Sequence, residues 1–256
     1  MELYHFAKVN EINRTGSKVN FILLHTLTYG MRATAGAIEK VIIDRDGGKP
    51  EIQTIGGIPA QGICGSGMID LLGQLYLSQL IDRRGKFNTE LGSPYIRRKE
   101  GYYEYLLVPQ EESVLGEDIV LAEFDIDNII RAKAAIYAGI TTLLEEVGLS
   151  PTDLDRIYIA GGFGRYISVV NAIVIGMFPD VDPQKYYFLG NTAIVGAYMS
   201  LLSLNRQREL EKLAKNVTHI ELSANVKFMD RYVSSLFLPH TNIEEFPTVE
   251  KMLSGS

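Results

Sequence analysis

The stretch RIYIAGGFGRY, residues 156–166, indicates the fold, because a run of apolar residues ends there on three closely spaced glycines. Two explanations compete. The glycines allow the backbone to approach a phosphate or a nucleoside closely. Alternatively, they form a tight strand-to-helix turn that binds no ligand. The residues on either side of the stretch have to distinguish the two.

Upstream of this stretch, residues 125–149 carry the strongest helix pattern in the chain. We expect Asp125 or Asp127 to cap this helix and Gly148 to end it. Its buried stripe is predicted from apolar residues at spacings of three and four. They are Ile126, Ile129, Ile130, Tyr137, Ile140, Leu144 and Val147. The continuous apolar run at 155–160 then predicts a buried strand.

Downstream, helices and strands alternate, which predicts an α/β domain. The predicted helices are residues 167–178, 191–203, 205–216 and 227–238, the predicted strands are 185–190 and 217–223, and 248–256 is predicted to be a tail. In the first half we predict strands at 29–44, 51–57 and 102–108, and a helix within 61–81 that Ser66 caps. Residues 1–28 form an atypical N-terminal segment, and 82–118 an irregular insertion.

Two more glycine-rich turns precede predicted helices, at Gly65–Ser66–Gly67 and at Gly190–Asn191. Helix N-termini present free N–H groups and a partial positive charge, which suits phosphate oxygens. In an open α/β sheet, such turns can meet in one crevice at the strand ends. Each turn alone is also explained as an ordinary helix entry or cap, whereas three in one domain favour a shared ligand site.

Composition excludes several functional classes. The formal net charge of −6 and the lack of a basic stripe argue against binding to nucleic acid or to an anionic membrane. The single cysteine, Cys64, cannot form an internal disulfide, a four-cysteine zinc site or an iron–sulfur cluster. We expect a reduced, cytoplasmic protein with no metal-ligating side chains of its own, in which Cys64 is a small buried residue.

Known catalytic motifs are not found. The chain has neither a GxGxxG fingerprint after a first strand nor the GxxxxGK[ST] sequence of a P-loop. Ser66 lies in a GSG sequence and not in the G-x-S-x-G of a nucleophile elbow. No catalytic residue is therefore assigned.

The residues resemble a known superfamily. The segment LSPTDLDRIYIAGGFGRYISVVNAI, residues 149–173, is similar to the adenosine motif of sugar kinases, heat-shock ATPases and actin. More specifically, seven segments in the same order resemble the reductive activators of corrinoid proteins. They are GMRATAGAIEKV (30–41), GICGSGMIDLL (62–72), DIDNIIRAKAAIYAGI (125–140), IYIAGGFGRY (157–166), FLGNTAIVGA (188–197), FMDRYVSSLFLPHT (228–241) and FP (246–247).

This resemblance implies an actin-like (ASKHA) ATPase lobe with a ribonuclease H-like mixed sheet and helices packed on it, here over residues 29–247. It implies ATP with magnesium as ligand and a corrinoid protein of a methyltransferase system as partner. Activators of this family use ATP to return the cobalt(II) corrinoid to cobalt(I). The electron enters through an iron–sulfur domain elsewhere in the activator.

The chain departs from the family pattern in two respects. It lacks the iron–sulfur domain and the first half of the actin-like fold, whose Asp-x-Gly strand and turn hold magnesium and the outer phosphates. We therefore expect a truncated C-terminal lobe, which is either a fragment, a split gene product or a decayed gene. Such a lobe is not expected to complete ATP hydrolysis alone. Its missing N-terminal lobe and iron–sulfur domain are further expected partners.

The candidate cofactor-binding residues follow from this resemblance. They are Gly161, Gly162, Phe163, Gly164, Arg165, Gly190, Asn191, Gly65, Ser66, Gly67 and Lys133. Arg165 either contacts nucleotide or forms a surface ion pair, and Lys133 and Arg131 either point toward nucleotide or lie on a solvated helix face. Two alternatives remain open: a non-catalytic module that docks on a corrinoid protein or on the missing lobe, and a sugar-kinase-like phosphotransferase.

Overall fold

Three small sheets and seven α-helices make up the part of the chain that the computed structural model describes, which is residues 27–44, 48–161, 167–217, 220–222 and 225–255. The strands are β1 Ala37–Ile43, β2 Pro50–Thr54, β3 Gly62–Ile63, β4 Ile96–Lys99, β5 Tyr102–Val108, β6 Ile119–Ala122, β7 Ile157–Ala160 and β8 Tyr186–Gly190. The helices are α1 Gly65–Leu77, α2 Glu123–Glu146, α3 Val169–Val174, α4 Thr192–Leu202, α5 Leu204–Lys215, α6 Val226–Ser234 and α7 Pro247–Ser254. The α/β prediction is confirmed.

The first sheet has the order β2–β1–β3, with β1 antiparallel to β2 and parallel to β3. This confirms the predicted strands at 29–44 and 51–57 in shorter form. Helix α1 packs against β1 and buries Leu71, Leu72 and Leu75 completely. Of the N-terminal segment, residues 1–26 lie outside the described residues. Leu27 is buried in the main core, and the carbonyl of Tyr29 accepts from the amide of Ile63 at 2.8 Å.

The predicted irregular insertion contains β4 and β5, which form an ordered antiparallel sheet of order β4–β5–β6 with the strand that follows it. The expectation of irregular structure was wrong for these strands, because β5 is apolar apart from Glu104 and buries residues on both of its faces. Tyr105 and Leu107 of this strand belong to the main core, and the Tyr105 hydroxyl donates to the carbonyl of Gly48 at 2.7 Å. The insertion therefore stabilises the domain.

Helix α2 begins two residues before the predicted start. Asp125 is its third residue, and the Asp125 carboxylate accepts from the amides of Ala122 at 3.2 Å and Thr28 at 3.1 Å. The Asp125 carboxylate, in the first turn of α2, thus caps the start of the helix through the Ala122 amide. It also links this helix start to the chain at Thr28. The predicted stripe is buried from Ile126 to Tyr137, while Val147 at its end is exposed.

The third sheet consists of β7 and β8, which run parallel. The prediction that β7 is buried on both faces was wrong. Ile157 and Ile159 pack against the main core, whereas Tyr158 on the opposite face is 53% exposed. No further strand pairs with β7 or β8 among the described residues. Helix α3 follows β7 along the chain and packs on α1.

The C-terminal segment differs from the prediction at two points. The predicted tail instead forms helix α7, whose Val249 is completely buried. The strand predicted at 217–223 is not present in its described residues, 217 and 220–222. The helix predicted at 227–238 is confirmed as α6. The core therefore extends almost to the end of the chain.

Candidate functional site

Two of the three glycine turns meet at the carboxyl ends of β7 and β8. The amide of Gly161 donates to the carbonyl of Gly190 at 2.7 Å, and Ala160 is the strand partner of Gly190. Gly161 has φ +112° and Gly190 has φ +66°, which are backbone conformations that favour glycine. A methyl group on either glycine would have no atom of the described residues within 4 Å. Among the described residues, the paired glycines therefore border open space at the end of a parallel sheet.

Helix α4 begins directly after this glycine pair. Asn191 is its N-cap, and its side-chain oxygen accepts from the amide of Ile194 at 3.1 Å. Asn191 is exposed and directly follows Gly190, so α4 begins next to the glycine pair. The positive end of the helix dipole and the exposed peptide groups suit an anionic ligand here.

Four of the predicted site residues, Gly162, Phe163, Gly164 and Arg165, lie outside the described residues. The described chain leaves the glycine pair at Gly161 and returns at Ile167, which is buried in the main core. Ser168 then caps α3 by accepting from the amide of Asn171 at 3.2 Å. Both ends of this connection are thus fixed by the fold.

The turn at Gly65–Gly67 has a packing role. Cys64, and not Ser66, occupies the N-cap position of α1, and the hydroxyl of Ser66 lies 3.2 Å from the buried Cys64 sulfur. A methyl group on Gly67 would overlap the carbonyl oxygen of Ile38. Gly67 is therefore required for close contact between α1 and β1, whether or not a ligand binds nearby. No described contact joins this turn to Gly161 or Gly190.

Lys133 is neither exposed nor part of the glycine pair's surroundings. Its side chain is 1% exposed, and its ammonium group donates to the carbonyls of Phe237 at 2.5 Å and Pro239 at 2.6 Å. The interpretation of Lys133 as a residue on a solvated face was wrong, because α2 buries this position beneath the C-terminal segment. Burial lowers the pKa of Lys133 to about 7. Arg131 is exposed, as a solvated face requires.

Two kinds of feature are absent from the described part of the chain. No group of three or more His, Cys, Asp or Glu side chains there could hold a metal ion. None of the described helices combines the length and the apolar character that a membrane span requires.

Comparison with known proteins identifies the family. Residues 25–250 match the family described as the C-terminal domain of RACo, the ASKHA domain. The chain belongs to this family. Its fold is shared with the solved structure of a reductive activator for corrinoid, iron-sulfur protein, at a TM-score of 0.82 and 46% sequence identity. That match covers 87% of this chain and 35% of the solved chain.

Two curated relatives have related descriptions. The corrinoid activation enzyme RamQ of Eubacterium limosum is 37% identical over an alignment of 214 positions, which covers 81% of this chain and 36% of RamQ. The [Co(II) methylated amine-specific corrinoid protein] reductase of Methanosarcina barkeri is 25% identical over an alignment of 232 positions, which covers 82% of this chain and 39% of that reductase. The chain spans between a third and two fifths of the length of these relatives.

Within this ASKHA domain, sequence reasoning missed a broad apolar surface beside the glycine pair. On the open face of the β7–β8 sheet, the rings of Tyr158 and Tyr187 contact each other at a tilt of 43° with centroids 5.7 Å apart, and Leu189 is 50% exposed. Helix α4 has no buried residue, and its apolar side chains are exposed as well. They are Ile194, Val195, Tyr198, Met199, Leu201 and Leu202. The sequence of α4 could have indicated this surface, because the helix is apolar on all sides. Such a helix is typically surrounded by other parts of a protein.

Proposed function

We propose that this chain is the nucleotide-binding C-terminal lobe of a reductive activator that returns the cobalt(II) corrinoid of a methyltransferase system to cobalt(I). The observation that carries this proposal is the glycine pair, Gly161 and Gly190, at the ends of two parallel strands and the start of α4. Family membership supports it, as do the names of the relatives, which describe corrinoid activation and corrinoid protein reduction.

ATP would be held mainly by backbone groups. The absence of a Cβ at Gly161 and Gly190 leaves room for a nucleoside or a phosphate to approach the sheet end closely. The first turn of α4 would place its N–H groups and partial positive charge toward phosphate oxygens. Magnesium would bind with the phosphates, with its protein ligands on the other lobe of the activator.

The electron would come from an iron–sulfur domain outside this chain. An iron–sulfur cluster requires several cysteine ligands, and the sequence has only Cys64. The Cys64 thiol is buried and lies 3.2 Å from the carbonyl of Ile38. This lobe would therefore contribute to nucleotide binding and to the fit with the corrinoid protein, but not to electron transfer itself.

Calorimetric titration of the chain with MgATP and with ADP tests the proposal. We expect saturable binding with a Kd in the micromolar range, about −8 kcal/mol. Gly190→Asn should weaken binding at least tenfold, because asparagine tolerates positive φ while its side chain fills the space beside Gly161. The matched control is Gly148→Asn, where φ is +71° and space is also open, but at the far end of α2. Equal affinity of both variants would contradict the proposal.

The exposed apolar surface favours a second candidate function, a docking module without turnover of its own. Tyr158, Tyr187 and Leu189 on the sheet face and the apolar side chains of α4 together form a large exposed patch. Patches of this kind mark interaction sites. In this candidate, the patch binds either the first lobe of the activator or the corrinoid protein.

A binding experiment separates the two candidates. Cobalt(II) corrinoid protein is titrated into the chain with and without MgATP, using the unmodified chain and Tyr198→Glu. Docking through the patch predicts binding that is independent of MgATP and lost in Tyr198→Glu. A nucleotide-binding lobe instead predicts that MgATP binds to the chain alone, with an affinity that Tyr198→Glu does not change.

A further inference from the structure

A buried polar network connects the helix after the glycine pair to the helix that carries the first glycine turn. The side-chain amide of Asn171, on α3, donates to the Asp70 carboxylate, on α1, at 2.8 Å. The side-chain amide of Gln74, one turn further along α1, donates to the side-chain oxygen of Asn171 at 3.4 Å. Asp70 is 5% exposed and Asn171 is 7% exposed. The network therefore has little access to water.

The same side chains also satisfy the backbone of β1. The Asp70 carboxylate accepts from the amide of Val41, and the side-chain oxygen of Gln74 accepts from the amide of Ile43 at 3.4 Å. Asn171 is thus joined through two side chains to two amides of one strand. β1, α1 and α3 are held together by one set of hydrogen bonds.

The lack of a side chain at Gly73 of α1 leaves space for the Asn171 side chain. A methyl group on Gly73 of α1 would lie 3.0 Å from the Cβ and the side-chain oxygen of Asn171, so that a larger residue would displace this side chain. Burial raises the pKa of Asp70, while the hydrogen bonds from Asn171 and Val41 favour its ionised form. Breaking such a network leaves buried groups unpaired, which makes the relative position of the two helices highly specific.

The position of α3 determines where the chain returns after Gly161. Only the connection 162–166 separates Gly161 from Ile167, and Asn171 lies in the first turn of α3. An apolar contact between α1 and α3 would permit sliding, whereas hydrogen bonds to Asp70 and Gln74 fix one register.

We propose that Asn171 and Asp70 are positioning residues that hold Gly161 in the geometry of its hydrogen bond to Gly190, and thereby shape the nucleotide site. The inference rests on the proposed function for its link to nucleotide, but its structural part is measurable without nucleotide. Neither residue contacts the glycine pair directly, so both act through the placement of α3.

Amide hydrogen exchange at Gly161, followed by NMR without nucleotide, is the first measurement. Its amide is protected by the bond to Gly190, and the amide of Leu106, bonded to Tyr95 at 2.7 Å, serves as a distant reference. We expect Asn171→Ala to raise the amide exchange rate at Gly161 about tenfold relative to the rate at Leu106. A factor of this size corresponds to the loss of one buried hydrogen bond. The Kd for MgATP should rise by a similar factor.

The double variant Asp70→Asn/Asn171→Asp exchanges the amide and the carboxylate. It retains a donor and an acceptor between positions 70 and 171, an acceptor for Gln74 and an acceptor for Val41. We expect exchange at Gly161 and the MgATP affinity to return to within about threefold of the unmodified chain. Asp70→Asn alone removes one acceptor, and it replaces Asn171→Ala if that variant does not fold.

The outcomes are distinguishable. Unchanged exchange at Gly161, or an equal rise at Gly161 and Leu106, would overturn the positioning role, because the network would then contribute only to overall stability. A selective rise at Gly161 that the double variant reverses supports the positioning role. If the unmodified chain then binds no MgATP, the proposed function fails while the positioning role stands.

Discussion

The ammonium group of Lys133 lies 2.6 Å from the carbonyl oxygen of Pro239 and is fully enclosed by the fold. The Arg83 guanidinium donates to the carbonyls of His240 and Thr241, the latter at 2.9 Å. Two cations from different parts of the chain thus hold one short segment near the C-terminus. This arrangement connects α2 to the residues that lead into α7.

Replacing the buried lysine should strongly destabilise the domain. Lys133→Met keeps the apolar stem but leaves the carbonyls of Phe237 and Pro239 without a donor, which we expect to cost about 2–5 kcal/mol of unfolding free energy. Arg131→Met, two residues earlier on the exposed face of the same helix, should change stability by less than about 0.5 kcal/mol. Urea unfolding measures both. Equal stability of the two variants would show that the enclosed ammonium contributes nothing.

Stability should also depend on pH through Lys133. Its pKa is about 7 in the folded chain, well below the 10.5 of an unperturbed lysine. The unfolded chain therefore binds more protons between these values, so the free energy of unfolding rises with pH, by at most about 1.4 kcal/mol per unit. Urea titrations between about pH 7.5 and 9.5 test this, below the range in which tyrosines ionise. The slope should be smaller in Lys133→Met, and an identical slope would contradict the assignment.

Two helical glycines should respond in opposite directions to alanine. Gly67→Ala forces a methyl group against the carbonyl of Ile38, which we expect to cost about 1–3 kcal/mol through overpacking. Gly196→Ala, in α4, has no atom within 4 Å of the new methyl group and should stabilise the chain by about 0.5–1 kcal/mol. Thermal unfolding compares the two. A stabilised Gly67→Ala would mean that α1 does not approach β1 closely.

We expect the isolated chain to self-associate through the exposed apolar end of α4. Leu201 is 85% exposed and Leu202 is 69% exposed. The double variant Leu201→Lys/Leu202→Lys should reduce self-association in sedimentation experiments, because it removes apolar surface from the patch. The free energy of unfolding should change by less than about 0.5 kcal/mol, since neither side chain is buried. Undiminished self-association would show that the patch is not the contact surface.

The local sequence predicted the main elements well. Helix α2 was identified from its apolar spacing, and β8 and α4 were predicted on either side of the Gly190–Asn191 turn. The resemblance of seven ordered segments identified the family that the comparisons show. Predictions were less accurate where burial depends on distant residues. β7 was expected to be enclosed, yet Tyr158 is exposed because nothing described covers that face.

The roles of individual site residues depended more strongly on tertiary structure. Gly67 and Gly161 belong to similar glycine-rich turns, but the first packs against β1 and the second borders open space. Lys133 follows Arg131 by only two positions, but the rotation of the helix buries one and exposes the other. Asp70 is a carboxylate within an apolar run of sequence. Its burial there is explained by its hydrogen bond to Asn171, about a hundred residues away.

By itself, the sequence determined the family, the alternation of helices and strands, and the three glycine turns, because apolar periodicity and backbone freedom are local properties of the chain. Only the tertiary structure decided that Gly161 and Gly190 meet, that Lys133 holds the segment at Pro239, and that Asp70 pairs with Asn171. These contacts join residues that are distant in sequence. Their formation depends on how the strands and helices pack together.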